Sequence, residues 1–141
     1  MSSLDGKVAL VTGAGRGIGR AIAISLAKSR CHVILTARTV AELADVQQEL
    51  RNLGDNAVAI VADLTKDGDL RELVEQCGPV DFLINNAGWG KRDPVIRAKI
   101  ADWDQTLRLN LRAPMILAQK LLPAMIEKGS WAVIKIGRAH V

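Results

Sequence analysis

Val8-Ala9-Leu10-Val11-Thr12-Gly13-Ala14-Gly15-Arg16-Gly17-Ile18-Gly19 decides the fold. An apolar strand runs into a glycine-rich turn. The turn runs into a helix whose Ile18, Ala21, Ile22 and Leu26 form an apolar stripe at helical spacing. That order sets a helix N-terminus, with free N–H groups and partial positive charge, against a phosphate. Glycine is needed because a side chain would hold the backbone off a pyrophosphate. The string is not G-x-G-x-x-G, since Ile18, Arg20 and Ile22 stand where its last glycine would fall. It is T-G-x-x-x-G-x-G.

Working outward, strand and helix alternate. Lys7 to Thr12 reads as a strand apolar on both faces, as in a covered parallel sheet. His32 to Thr36, Ala57 to Ala62 and Val80 to Ile84 read as further strands, and Trp131 to Ile136 begins a fifth. Val40, Leu43, Val46, Leu50 and Leu53 mark a helix that Gly54 stops. Leu70, Leu73, Val74 and Cys77 mark another, ended by Gly78-Pro79. A polar loop spans 88–97. Residues 101–128 read as helical, with Pro114 and Pro123 expected to bend or restart the helix. The alternation predicts an α/β fold, a parallel sheet with helices on both faces. Ligands of such sheets bind at the carboxyl ends of the strands, where strand order reverses. The glycine turn sits at one of those ends.

The composition narrows the function. One domain fits in 141 residues. No apolar run approaches the ~20 residues that span a bilayer, and the first residues lack the pattern of a signal peptide, so a cytoplasmic protein with no membrane partner is expected. The 19 basic and 15 acidic residues are scattered, which argues against a nucleic-acid partner. Cys31 and Cys77 have neither metal spacing nor a disulfide framework, and no metal site is expected.

Several ordered motifs resemble the short-chain dehydrogenase/reductase family over roughly residues 4–134. Leu4-x-Gly6-Lys7-Val8-Ala9-Leu10-Val11-Thr12-Gly13 looks like its usual opening. Asp63-Leu64, Asn85-Asn86-Ala87-Gly88, Asn110 and Leu122-Pro123-Ala124-Met125 follow in the family's order. The general look is nearest to the 3-oxoacyl-(acyl-carrier-protein) reductase-like branch. The resemblance implies a Rossmann-type doubly wound parallel sheet that binds NAD(P). It also implies hydride transfer between nicotinamide and a small alcohol or carbonyl substrate, in a protein that forms homo-oligomers. Such a protein usually pairs its subunits partly through the long helix.

The same resemblance marks the cofactor site as Thr12, Gly13, Gly15, Arg16, Gly17, Ile18, Gly19, Arg38, Asp63, Leu64, Asn86, Ala87 and Gly88. NAD enzymes place an acid at the end of the second strand to accept bonds from the ribose hydroxyls. Here that strand ends Thr36-Ala37-Arg38, and the next acid, Glu42, lies inside the helix. A guanidinium pairs with a 2′-phosphate in a fork, so Arg38 and Arg16 read as selecting NADP over NAD. The other reading of Arg38 is a solvated loop charge. Thr12 either touches the cofactor or caps the turn. Asp63 either takes the adenine amino group or caps the next helix through Thr65. Asn110 has a catalytic role by resemblance, holding a water that links the family's lysine to solvent. Its alternative is a satisfied core asparagine.

Family chemistry uses a tyrosine as proton donor, with a lysine four residues later that lowers its pKa. This chain contains no tyrosine. The serine expected at the end of the fifth strand and the Y-x-x-x-K segment are missing too. The expected organisation is a partial Rossmann domain over 1–134, truncated within the fifth strand, and a non-native tail over 135–141. One back-translation of that tail resembles a sequencing-library adapter whose next triplet is a stop. The parent protein is thus expected to be an enzyme and the short chain itself inactive. The alternatives are a non-catalytic dinucleotide-binding module and a truncated fragment with no function.

Overall fold

A computed structural model describes residues 4–137. Its strands are β1 (Val8–Thr12), β2 (His32–Ala37), β3 (Val58–Val61), β4 (Phe82–Asn85) and β5 (Ala132–Lys135). They pair in parallel in the order β3-β2-β1-β4-β5. The order reverses between β1 and β4. The glycine turn after β1 and the Asn86-Ala87-Gly88 segment after β4 therefore emerge side by side.

The helices are α1 (Gly17–Lys28), α2 (Val40–Asn52), α3 (Asp67–Cys77), α4 (Ile100–Leu107) and α5 (Ala113–Lys128). Successive strand residues point to opposite faces, and the core divides accordingly. Val11, Val33, Leu35 and Ile84 pack with Ala23 and Ala27 of α1 and Leu43, Val46 and Leu50 of α2. Leu10, Ile34, Ile60 and Leu83 pack with Leu70 and Leu73 of α3 and Leu117, Leu121 and Met125 of α5. Covering both faces explains why β1 and β2 read as continuous apolar runs. No helix among the described residues is long and apolar enough to cross a membrane.

The long helical stretch differs from expectation in one respect. Pro123 lies inside α5 without ending it. The backbone adjusts instead at Arg108–Arg112, a widened π turn joining α4 to α5, in which the Ala113 N–H bonds back to the Arg108 carbonyl. Pro114 follows at once. It has no N–H to offer the Asn110 carbonyl and its ring crowds that carbonyl, so the turn opens just before it. Along the outer side of this stretch Ile100, Trp103, Leu111 and Met115 are exposed.

At the sheet edge, β5 continues through Lys135, which pairs with Asn85. Ile136 bonds to the Asn85 carbonyl and packs against the α1–α2 layer. Of the expected tail, Arg138–Val141 lies outside the described residues, as do residues 1–3.

Candidate functional site

The glycine turn is shaped by close packing before any ligand is considered. A Cβ at Gly19 would lie 2.2 Å from the Gly13 carbonyl oxygen. One at Gly13, whose φ is +61°, would lie 2.9 Å from the Ala87 Cα. These two glycines let α1 and the β4 loop press against the turn. Gly17 differs. Its φ of +58° is the left-handed region that favours glycine, and open space surrounds it.

Two side chains lock the turn to the end of β4. The buried Thr12 hydroxyl donates to the Ile84 carbonyl (3.4 Å) and accepts from the Asn86 N–H (3.0 Å) and Ala87 N–H (2.9 Å). Asn86 Nδ2 donates to the Thr12 and Gly13 carbonyls at 3.0 and 3.1 Å. On the other side of the loop, Asn110 Oδ1 accepts from the Trp89 N–H (2.9 Å) and its Nδ2 donates to the Trp89 carbonyl (2.8 Å). Both polar ends of Asn110 are thereby engaged with one residue's backbone.

Between these elements a cavity of about 380 Å³ opens at the carboxyl ends of β1 and β2. It is lined by Gly13, Gly15, Arg16, Gly17, Ile18, Arg38, Leu64, Asn86, Ala87 and Gly88 of the expected set. Of that set Thr12, Gly19, Asp63 and Asn110 are not in the lining. Thr12 and Gly19 act behind it, as braces. The Asp63 carboxylate is turned toward its own loop, accepting from the Thr65 N–H (3.0 Å) and hydroxyl (2.7 Å). Burial pushes the Asp63 carboxyl up, but the Thr65 bonds, with Lys66 and Arg38 nearby, outweigh it and hold it below the usual range. Asn110 lines a second cavity of about 720 Å³ instead, with Trp89, Lys91 and Lys135.

The fit to a dinucleotide can be tested on the helix itself. The N-terminus of α1 has no side-chain cap and no acid in its first turn. Its first N–H groups therefore keep their capacity for an anion. Arg16 and Arg38 add two guanidiniums to the lining. The residues present fit a phosphate-bearing ligand.

Glu42 was not among the expected site residues, yet it lines the cavity from the first turn of α2. Its Oε1 lies 4.0 Å from Arg16 Nη1. The available sequence signal was misleading: Thr39-x-x-Glu42 has capping-box spacing, but Thr39 makes no side-chain cap bond. Neither cysteine joins the site. Burial pushes both thiols up to about 11, with Asp55 and Asp81 adding to the effect at Cys31.

The short chain dehydrogenase family profile matches residues 7–138. The chain belongs to the short-chain dehydrogenase family. It is 37% identical over 140 residues to the ketoacyl reductase HetN of Nostoc sp., covering 96% of this chain and 49% of that one. It is 36% identical over 135 residues to the 3-oxoacyl-(acyl-carrier-protein) reductase FabG of Staphylococcus epidermidis, covering 92% and 55%. A metagenomic short-chain oxidoreductase, crystallised in complex with NADP, superposes with a TM-score of 0.90 at 38% identity, covering 99% of this chain and 65% of that one. The chain spans about half the length of the curated relatives it matches. Family and fold thus agree with the motif reading.

Proposed function

We propose that this chain is the cofactor-binding part of an NADP-dependent oxidoreductase that moves hydride between nicotinamide and a small alcohol or carbonyl compound. One observation carries the reading. Arg16 and Arg38 reach the same cavity from two different elements, and Ala37 stands where an acid would repel a 2′-phosphate. The uncapped start of α1 would hold the pyrophosphate, with Gly17 and Ile18 at the contact. Arg38 and Arg16 would hold the 2′-phosphate. Leu64 would line the adenine side, with Asp63 behind it, and Asn86, Ala87 and Gly88 the nicotinamide-ribose side. Nicotinamide supplies the hydride when bound. Asn110, through its widened turn, would hold the Trp89 loop and order water beside it.

The proton donor is a separate matter. With no tyrosine in the sequence, this chain does not itself carry the phenol the family uses. That favours a second reading for the chain alone, a dinucleotide-binding module without turnover. NADP-bound relatives such as the metagenomic oxidoreductase support the cofactor assignment. The exposed apolar stripe on α4 and α5 supports self-association in the whole protein.

The test is a titration with NADP and with NAD, using the chain and an Ala37→Asp/Arg38→Ala variant. NADP should be preferred by the chain. The variant should lose about 10-fold or more in NADP affinity, since a charge-assisted contact is worth about 1.5–3 kcal/mol. Equal affinities for the two dinucleotides in the unmodified chain would defeat the proposal.

A further inference from the structure

We propose that Glu42 is a specificity-determining residue of the glycine-turn cavity, a resident counter-ion for Arg16 that weakens selection for a 2′-phosphate. The inference rests on the NADP reading above and adds a residue that opposes it.

The placement of Glu42 is built in. Leu43 next to it is fully packed in the core with Val46 and Leu50, and the Leu43 N–H bonds to the Thr39 carbonyl at 3.1 Å. These contacts fix the rotation of α2 and turn position 42 to the cavity. Gly15 then makes room for the side chain. A Cβ on Gly15 would lie 3.0 Å from both the Cβ and Oε2 of Glu42. A side chain at position 15 would therefore push the carboxylate away, and its absence lets Glu42 lie against the turn.

The charges follow from the lining. Arg16 and Arg38 bring two positive charges, and Glu42 brings one negative, so the three side chains sum to +1 rather than +2. A phosphate arriving with about −1.5 to −2 charge meets a carboxylate already beside one of its two guanidiniums. Unphosphorylated ribose hydroxyls carry no such charge, and a carboxylate accepts hydrogen bonds from them. Glu42 therefore penalises the phosphorylated dinucleotide and leaves the other untouched or aided. The pair is solvent-exposed, with the Arg16 side chain 84% accessible and Glu42 37%. Exposed pairs are weak and exchange readily, so the effect is a tuning of preference rather than its source.

The experiment measures the dissociation constants of NADP and NAD for the full chain, Glu42→Gln, Arg16→Ala and the double variant. Far-ultraviolet circular dichroism checks folding, and Glu42→Ala repeats the test should the glutamine variant fold poorly. Glu42→Gln should tighten NADP by about two- to fivefold, the scale of one exposed ion pair, with NAD unchanged or weaker. In the Arg16→Ala background most of that gain should vanish. An unmodified chain that prefers NADP, with Glu42→Gln and Glu42→Ala no tighter for it, overturns the role of Glu42 alone. So does a gain that persists in full without Arg16. An unmodified chain that binds neither dinucleotide, or binds both equally, overturns the cavity reading and this inference together.

Discussion

At the amino ends of the strands, charge is consumed internally. Buried Asp81 accepts from the Val8 N–H at 2.9 Å and from Lys128 Nζ at 3.0 Å, with Lys7 Nζ at 3.9 Å. Asp55 takes the His32 ring nitrogen at 2.8 Å and the Val33 N–H at 3.0 Å. At the carboxyl ends the pattern inverts. Arg38 has no hydrogen-bond or ion-pair partner among the described residues, Arg16 has only a long contact to Glu42, and α1 starts without a cap. The amino ends tie β1, β4 and α5 together. The carboxyl ends leave donors facing open space, where a ligand can use them. The carboxyl ends carry bracing bonds of their own, from Thr12 and Asn86, but unlike the amino ends they also leave guanidiniums and helix N–H groups open to a ligand.

The largest effect is expected where the binding end depends on tight packing. Gly19→Ala places a carbon against the Gly13 carbonyl, in backbone that has no flexible end to give way. We expect a loss of about 3 kcal/mol, the upper part of the range for overpacking. Chemical denaturation should show it, with dinucleotide binding lost as well. A variant that melts like the parent would mean that α1 can withdraw from the turn.

Asp81→Asn breaks the comparison from the other end. Burial pushes the Asp81 carboxyl up, but the Val8 N–H, Lys128 and Lys7 outweigh it and hold it below the usual carboxylate range. A carboxyl depressed in the folded state stabilises above its unfolded value of about 3.9. That contribution is lost as pH falls through the lower folded value. The variant should lose about 2 kcal/mol at neutral pH, as for a bond to a charged group. Its stability should also fall less steeply than the parent's below about pH 4. NADP affinity should not move, because Asp81 lies at the opposite end from the cavity. An affinity change at constant fold would dissolve the division between the two ends.

Asn110→Ala should be the mildest. It removes the paired bonds that hold the Trp89 backbone, worth about 1 kcal/mol. Hydrogen exchange at the Trp89 amide should speed up while exchange in β1 and β4 does not. Unchanged exchange at Trp89 would show that the loop is held by its other contacts.

The sheet and its glycine turn were legible because they depend on local patterns. Apolar runs such as Val8–Val11 need cover on both faces, and glycines at the turn mark where backbone meets backbone. The arginines were legible because Arg16 and Arg38 are fixed to element ends by only a few residues of chain. Asp63 and Asn110 were less so. Sequence left each with two readings, and the structure shows the Asp63 carboxylate on Thr65 and the Asn110 amide on Trp89. The Asn110 bonds join residues 21 apart in sequence, and no local pattern reports them. The π turn before Pro114 needed the three-dimensional path of the helix as well.

By itself the sequence determined the order of elements, the glycine turn and the absence of a tyrosine, since each is a property of neighbours along the chain or of composition. Only the tertiary structure decided that Glu42 shares a cavity with Arg16 and that Thr12 and Gly19 stand behind that cavity. The physical reason is that a side chain's direction depends on how its helix is rotated by packing. For α2, that rotation is set by Leu43, Val46 and Leu50 against a sheet built from other parts of the chain.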